Sequence, residues 1–203
     1  KPQAERLVFF FADSYFQTKS YYLASYQFES FIKSFPKSQK IEEASFLAAK
    51  SHYMMSPIYS LDQEETVTAV EKIQIFMNNY PNSEYTEECN QLINELQNKI
   101  EKKRFEVAKQ YYTIYDYRAA INSMDNFIAE FVGSKFREEA LYYKFLSFYE
   151  IAINSIESKK LQRLNDLKTL HNNIVRYYPE TLFEEDLTKK METVEKEINT
   201  FVN

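Results

Sequence analysis

Apolar residues recur at helical spacing along almost the whole chain. From Gln3 to about Lys19, Leu7, Phe10, Phe11 and Tyr15 follow three- and four-residue steps, and from about Tyr21 to Phe35, Ala24, Phe28, Phe31 and Phe35 form one stripe. The pattern resumes from Ser38 to Met55 with Ala48, Ala49 and His52, and again through Ala69, Ile73 and Phe76. From Ser83 to about Ile114 no breaker occurs, while Cys89, Leu92, Ile93, Leu96, Ile100, Val107, Ala108 and Tyr111 keep the spacing. At about 1.5 Å per residue this predicts one helix of roughly 45 Å. Further helices are predicted around Ala120, Met124 and Phe127, from Ser134 to Asn154, from Leu161 to Tyr178 and from Thr181 to Phe201. The last carries Leu187, Met191, Val194 and Ile198 on one side and Glu and Lys on the other, as a capping helix requires.

One motif separates these stretches four times. Phe35-Pro36 leads to Ser38, Glu42, Glu43 and Ala44; Tyr80-Pro81 leads to Ser83, Glu87, Glu88 and Cys89. Phe131-Val132 leads to Ser134, Glu138, Glu139 and Ala140; Tyr178-Pro179 leads to Thr181, Glu185, Asp186 and Leu187. Proline cannot continue the helix before it. The hydroxyl is expected to cap the helix after it, and the acidic pair complements that helix's positive end. The motif returns after 45, 51 and 47 residues, a period that signals a stacked array. Counted against a 34-residue tetratricopeptide unit, Ala48, Ala49 and His52 take positions 7, 8 and 11, as do Val107, Ala108 and Tyr111, and Phe145, Leu146 and Tyr149. The expected fold is all-α, a right-handed α-α superhelix of tetratricopeptide-like repeats with a C-terminal capping helix. It is read as one domain over residues 1–203, with repeats at about 3–36, 37–81, 82–132 and 133–179 and the cap at 180–202.

Composition narrows the picture further. One Gly and five Pro leave little material for β-turns, while 17 Tyr, 17 Phe and no Trp supply an ample aromatic core. A net charge of −5 argues against a nucleic-acid partner. The longest apolar run, Leu7 to Ala12, is far too short to span a membrane. The chain opens Lys1-Pro2-Gln3 without Met and reads as a fragment.

Chemistry-bearing residues are few. His52 and His171 both occupy packing positions, and Cys89, the single cysteine, takes the small-residue position after a corner. Gly133 is the one glycine, so no phosphate-binding loop is present. The acidic pairs recur at one register and read as surface charge. The expectation is a protein without catalytic, metal or cofactor sites.

Binding is then expected on the groove lined by the first helix of each pair, at positions 2, 5, 9, 12 and 13. In the first repeat this selects Arg6, Phe9, Asp13, Phe16 and Gln17; in the second it selects Glu43, Phe46, Lys50, Tyr53 and Met54. An aromatic trough flanked by isolated charges suits an extended or hairpin peptide with aromatic side chains.

The run Tyr80-Pro81-Asn82-Ser83-Glu84-Tyr85-Thr86 leads into one helix ending Val107-Ala108-Lys109-Gln110-Tyr111-Tyr112, then Tyr117-Arg118-Ala119-Ala120 and the stripe Met124, Phe127, Ile128. This resembles the BamD family of lipoproteins from the outer-membrane β-barrel assembly machinery. The resemblance implies a non-catalytic scaffold at the periplasmic face of the outer membrane, held there by an N-terminal lipid anchor that this sequence does not contain. It implies docking on a BamA-like barrel subunit through the region of Ser134 and Arg137, and capture of unfolded outer-membrane proteins at the N-terminal repeats. Similar Tyr-Pro-x-Ser turns occur in the Pal-associated cell-division coordinator, the alternative reading. A cytosolic adaptor clamping a C-terminal carboxylate would need Asn and several Lys or Arg where Phe9, Asp13, Phe46 and Tyr53 stand.

Overall fold

The structure, a computed structural model, describes residues 2–201. Among the described residues there are nine helices and no strand: α1 (Pro2–Gln17), α2 (Tyr21–Ser34), α3 (Ile41–Met55), α4 (Glu64–Asn79), α5 (Thr86–Thr113), α6 (Tyr117–Glu130), α7 (Arg137–Ile153), α8 (Glu157–Tyr177) and α9 (Glu184–Thr200). Consecutive helices pack on one another as tetratricopeptide-like pairs, and the unbroken helix expected after Ser83 is α5.

The four corners share one hydrogen-bond scheme. The aromatic that ends each second helix donates its N–H back into that helix: Phe35 to Phe31 O (2.8 Å), Tyr80 to Phe76 O (2.9 Å), Phe131 to Phe127 O (2.9 Å) and Tyr178 to Ile174 O (2.8 Å). The next helix begins three residues after the hydroxyl, later than expected, because the hydroxyl does not cap it. Ser38, Ser83, Ser134 and Thr181 instead accept from the N–H two residues on, at Lys40 (3.0 Å), Tyr85 (3.1 Å), Phe136 (3.1 Å) and Phe183 (3.3 Å). That bond closes a serine or threonine turn ahead of the helix. Val132 replaces proline without altering the scheme, since Ser134 donates to Phe131 O (3.1 Å) as Ser83 does to Tyr80 O (3.1 Å). Gly133 is not left-handed and has open space where a Cβ would stand.

Within the pairs, two connections are tight. Lys19 (φ 61°) and Tyr115 (φ 65°) adopt the left-handed conformation that ends α1 and α5. Ser20 N–H reaches Tyr15 O (2.8 Å) and Asp116 N–H reaches Tyr111 O (2.9 Å), the long bond of a Schellman turn. A residue with a Cβ costs about 1 kcal/mol there relative to glycine. Asp116 also caps α6 by accepting from Ala119 N–H (3.1 Å).

The chain divides into two compact units, one up to Ile100 and one from Glu101, with the boundary inside α5. In the first, Phe9, Ala12, Phe28, Phe31, Ala44 and Ala48 make one buried cluster, and Phe46, Ile73, Phe76, Cys89, Leu92 and Leu96 make another. In the second, Phe105, Ala108, Met124 and Phe127 precede a larger cluster of Phe145, Leu164, Leu167, Ile174, Leu187 and Val194. Each large side chain so buried contributes about 1.5–3 kcal/mol.

Ser83→Ala should lower the unfolding free energy by about 1 kcal/mol, the usual net worth of one hydrogen bond. Pro81→Val should cost no more than that, because the Val132 corner closes identically. Urea unfolding of both variants measures the difference.

Candidate functional site

The first helices of successive pairs carry the expected groove residues, and a feature of the corners decides which of them reach solvent. The residue two beyond each corner hydroxyl lies on an aromatic ring of the preceding first helix. Tyr85 stacks on Phe46 (centroids 4.1 Å, planes 6° apart), Phe136 on Phe105 (5.4 Å, 10°) and Phe183 on Tyr142 (4.0 Å, 6°). At the first corner the Lys40 ammonium sits 4.3 Å from the Phe9 centroid. These stacks pair Tyr142, not Tyr143, with the fourth corner, so the last repeat runs one residue out of the expected register. Phe145 there matches Ala49 and Ala108, and all three are buried.

Two groove expectations are thereby corrected. Phe9 and Phe46 are only 3% and 4% exposed, because the following turn covers them. Phe9 packs edge-on against Phe28 (5.8 Å) and Phe31 (5.5 Å) of α2 and belongs to the core. The signal was present in the sequence as Lys40, Tyr85, Phe136 and Phe183 at one register.

The other expected residues form a charged and aromatic seam. On α3, Lys50 donates to Glu88 of α5 (2.6 Å) with its ammonium 5.4 Å from the Phe46 centroid. One turn on, the Tyr53 hydroxyl donates to Glu95, and Lys99 sits 5.8 Å from its ring. The Glu95 hydrogen bond, with burial, pushes the Tyr53 phenol up to about 12, so it remains a donor at any ordinary pH. Glu43 pairs locally with Lys40 (2.7 Å). On α1, Arg6 is exposed beside Phe10 (5.4 Å), Asp13 accepts from Gln17 (3.1 Å), and Phe16 is half-buried edge-on against Tyr21 (5.5 Å). Phe16, Tyr53 and Met54 therefore supply the accessible apolar surface of this face.

In the second unit the equivalent ion pair is Lys109 to Glu139 (2.9 Å). Burial works against the Lys109 charge, but the hydrogen bonds to Glu139 and Tyr143 outweigh it and its pKa rises. Tyr142 donates to Asp186 of α9 (2.9 Å), and burial followed by that bond raises its phenol. The docking candidates sit at the third corner. Ser134 is half-buried and closes its turn, and Arg137 donates from Nη1 to Ile128 O (2.5 Å), satisfying a terminal carbonyl of α6.

Cys89 is fully buried, and desolvation pushes its thiol up to about 11, which keeps it an inert packing group. His171 lies against Phe145 (6.1 Å). His52 is more unusual: both ring nitrogens are buried without a hydrogen bond, and the nearest carboxylate, Glu29 of α2, is 3.8 Å away and already holds Lys72 of α4 (2.6 Å). Burial and then the Lys72 charge lower the His52 pKa against the opposing pull of Glu29 and Glu65.

Comparison with known proteins adds a family. The outer membrane lipoprotein family YfiO matches residues 2–113 and 97–200 of this chain. Over 72 residues the chain is 33% identical to the outer membrane protein assembly factor BamD of Helicobacter pylori, an alignment that covers 36% of this chain and 33% of that protein. The matched stretch thus spans a third of the relative's length. Among the described residues, no helix is long and apolar enough to cross a membrane.

The His52 environment gives a pH prediction. With its folded pKa below the unfolded value of 6.5, the ring binds fewer protons folded than unfolded once the pH drops below 6.5. Stability should therefore fall as pH decreases from 7 towards 5, before Glu29, whose pKa lies below 4.5, contributes its own loss. His52→Leu should flatten that decline and should not destabilise at pH 7, since it removes two unpartnered polar atoms. Guanidinium unfolding at pH 7 and pH 5 checks both statements.

Proposed function

The chain belongs to the YfiO family of outer membrane lipoproteins, and from that premise we propose that it is a non-catalytic scaffold subunit of the machinery that assembles β-barrel proteins in the outer membrane. The observation that carries this reading is the family match, which extends through both units and leaves almost none of the chain outside it. In this reading the protein acts at the periplasmic face of the membrane, held there by a lipid anchor. Its four repeats and capping helix, at 3–36, 37–81, 82–132, 133–179 and 180–202, offer preformed surfaces to other proteins.

Two surfaces divide the work. Unfolded outer-membrane segments bind the first unit, where Phe16, Tyr53 and Met54 give apolar contact and Arg6, Asp13, Glu43 and Lys50 give polar edges. Phe9 and Phe46 act from below by fixing the helices that carry these residues. A BamA-like barrel subunit docks at the third corner around Ser134 and Arg137. A rigid surface of this kind spares the ordering cost that a flexible receptor meets on binding. Side chains held by ion pairs, such as Lys50 with Glu88, lose little further freedom when a partner arrives.

The full-length protein should recover a large barrel subunit with periplasmic repeats from detergent-solubilised envelopes. Recovery of a peptidoglycan-associated partner in its place overturns the assembly role. At the first unit, Phe16→Ala combined with Tyr53→Ala should weaken a peptide ending in an aromatic residue by about ten-fold, as loss of interface anchors does, without changing helicity. Phe46→Ala should instead lower stability by about 3–5 kcal/mol, the cost of emptying a core position. Calorimetric titration and thermal unfolding of the variants separate these outcomes.

A further inference from the structure

A cavity of about 570 Å³ opens where the first corner meets α1, a volume within the usual range of small-ligand sites. Arg6 and Phe10 of α1 line one side, and Lys37, Ser38 and Lys40 of the corner line the other. Its floor is fixed. The buried Ser38 hydroxyl donates to Glu5 and accepts from the Lys40 N–H (3.0 Å), so the one carboxylate lining the cavity is already engaged. Lys40 is engaged too, by Glu43 (2.7 Å) and by the Phe9 ring (4.3 Å from its centroid). Arg6 and Lys37 are not. Both are exposed, and among the described residues neither forms an ion pair. Arg6 has only the Phe10 ring beneath it, 5.4 Å to the centroid.

In a chain of net charge −5, this edge thus carries two cations without an internal partner. An apolar stripe runs beside it. Gln3, Leu7, Phe10, Phe11 and Ser14 follow three- and four-residue steps along α1, all exposed and none charged. Leu7 is 70% exposed, Phe11 50% and Phe10 47%. The acids of α1 are held elsewhere, Glu5 by Ser38 and Asp13 by Gln17 (3.1 Å). The α1 backbone is paired within its own helix, so this face gives an extended peptide no main-chain hydrogen bonds. It gives apolar side chains flanked by cations, the arrangement of a helix that lies in a membrane interface. Among the described residues no helix is long and apolar enough to cross a bilayer, so such contact is peripheral.

We propose that this face of α1 and the adjoining cavity dock on a bilayer surface containing anionic phospholipid. Leu7, Phe10 and Phe11 enter the interfacial region, while Arg6 and Lys37 pair with headgroup phosphates at the cavity mouth. The planar guanidinium of Arg6 can give two parallel N–H bonds to one phosphate, and the Lys37 ammonium acts as a point charge beside it. Membership of a family of outer membrane lipoproteins supplies the surface. An anchor alone tethers a protein without orienting it; a second contact on α1 fixes which face of the first unit meets the lipid. The site shares Arg6 with the peptide surface proposed above, but Phe16, Tyr53 and Met54 take no part in it. It rests on the family and on the α1 geometry, not on peptide binding.

The test is flotation of the 203-residue chain with vesicles of phosphatidylethanolamine and phosphatidylglycerol, compared with vesicles of phosphatidylethanolamine and phosphatidylcholine. Binding to the anionic vesicles should be about ten-fold stronger or more, and should weaken with added salt. Near such a surface one cation contributes about five-fold in affinity. Lys37→Gln should therefore weaken binding about five-fold, and Arg6→Gln with Lys37→Gln about thirty-fold. Leu7→Ser with Phe11→Ser should weaken it by more than about ten-fold, with helicity unchanged because both side chains are already exposed. Equal binding to the two vesicle types, or unchanged binding in the Arg6 and Lys37 double variant, overturns the proposal. So does a double variant that loses the aromatic peptide but keeps the vesicles, which assigns the cavity to the peptide surface. A dimer in sedimentation that Leu7→Ser with Phe11→Ser abolishes, without vesicle binding, assigns the face to a second copy of the chain and overturns it as well.

Discussion

The structure depends on aromatic rings being covered at the corners. Each corner places one side chain on a ring of the helix before it, as Tyr85 does on Phe46 and Phe183 on Tyr142. The backbone bond from the corner hydroxyl holds that side chain in place. A local turn and a tertiary contact are thereby the same event. A hydroxyl that only capped a helix would set its start but not its seat on the previous pair. Closing the turn two residues earlier sets both, which is why Val132 can stand where the other corners have proline.

Electrostatics follow the same geometry. The second acid at three of the four corners reaches the preceding first helix, Glu88 to Lys50, Glu139 to Lys109 and Asp186 to Tyr142, while Glu43 at the first corner pairs locally with Lys40. Exposed pairs of this kind contribute modestly one by one, so they do not carry the fold. Their value lies in position: they line the seam between first helices and leave a surface of paired charges with aromatic gaps. Aromatic contact then falls beside the pairs, at Phe16 and Tyr53.

Much of this was legible in the sequence. Periodic apolar residues and the four corners predict the helices, their order and the length of α5, because spacing and chain breakers are local properties. The corner pattern also marks the acidic pairs, but their partners Lys50 and Lys109 lie on other helices and emerge only in three dimensions. Assigning Phe9 and Phe46 to a groove failed for a definite reason. Repeat position gives the direction of a side chain, not what lies on top of it, and the cover is supplied by Lys40 and Tyr85 from the next pair. The last repeat runs one residue out of register because Phe145 and Leu146 fit positions 7 and 8 by their apolar character better than Lys144 and Phe145 do. Only the stack of Phe183 on Tyr142 fixes the register.

The covered rings also have a kinetic meaning. Phe9 and Lys40, Phe46 and Tyr85, Phe105 and Phe136, and Tyr142 and Phe183 are all close along the chain relative to its 203 residues. The contacts that fix one pair on the next therefore join neighbouring repeats, and each closes a loop far shorter than the chain. No step requires the two ends of the chain to meet. Nucleation at any one corner creates the docking edge for its neighbour, so structure can spread outward in either direction as it does in other linear arrays.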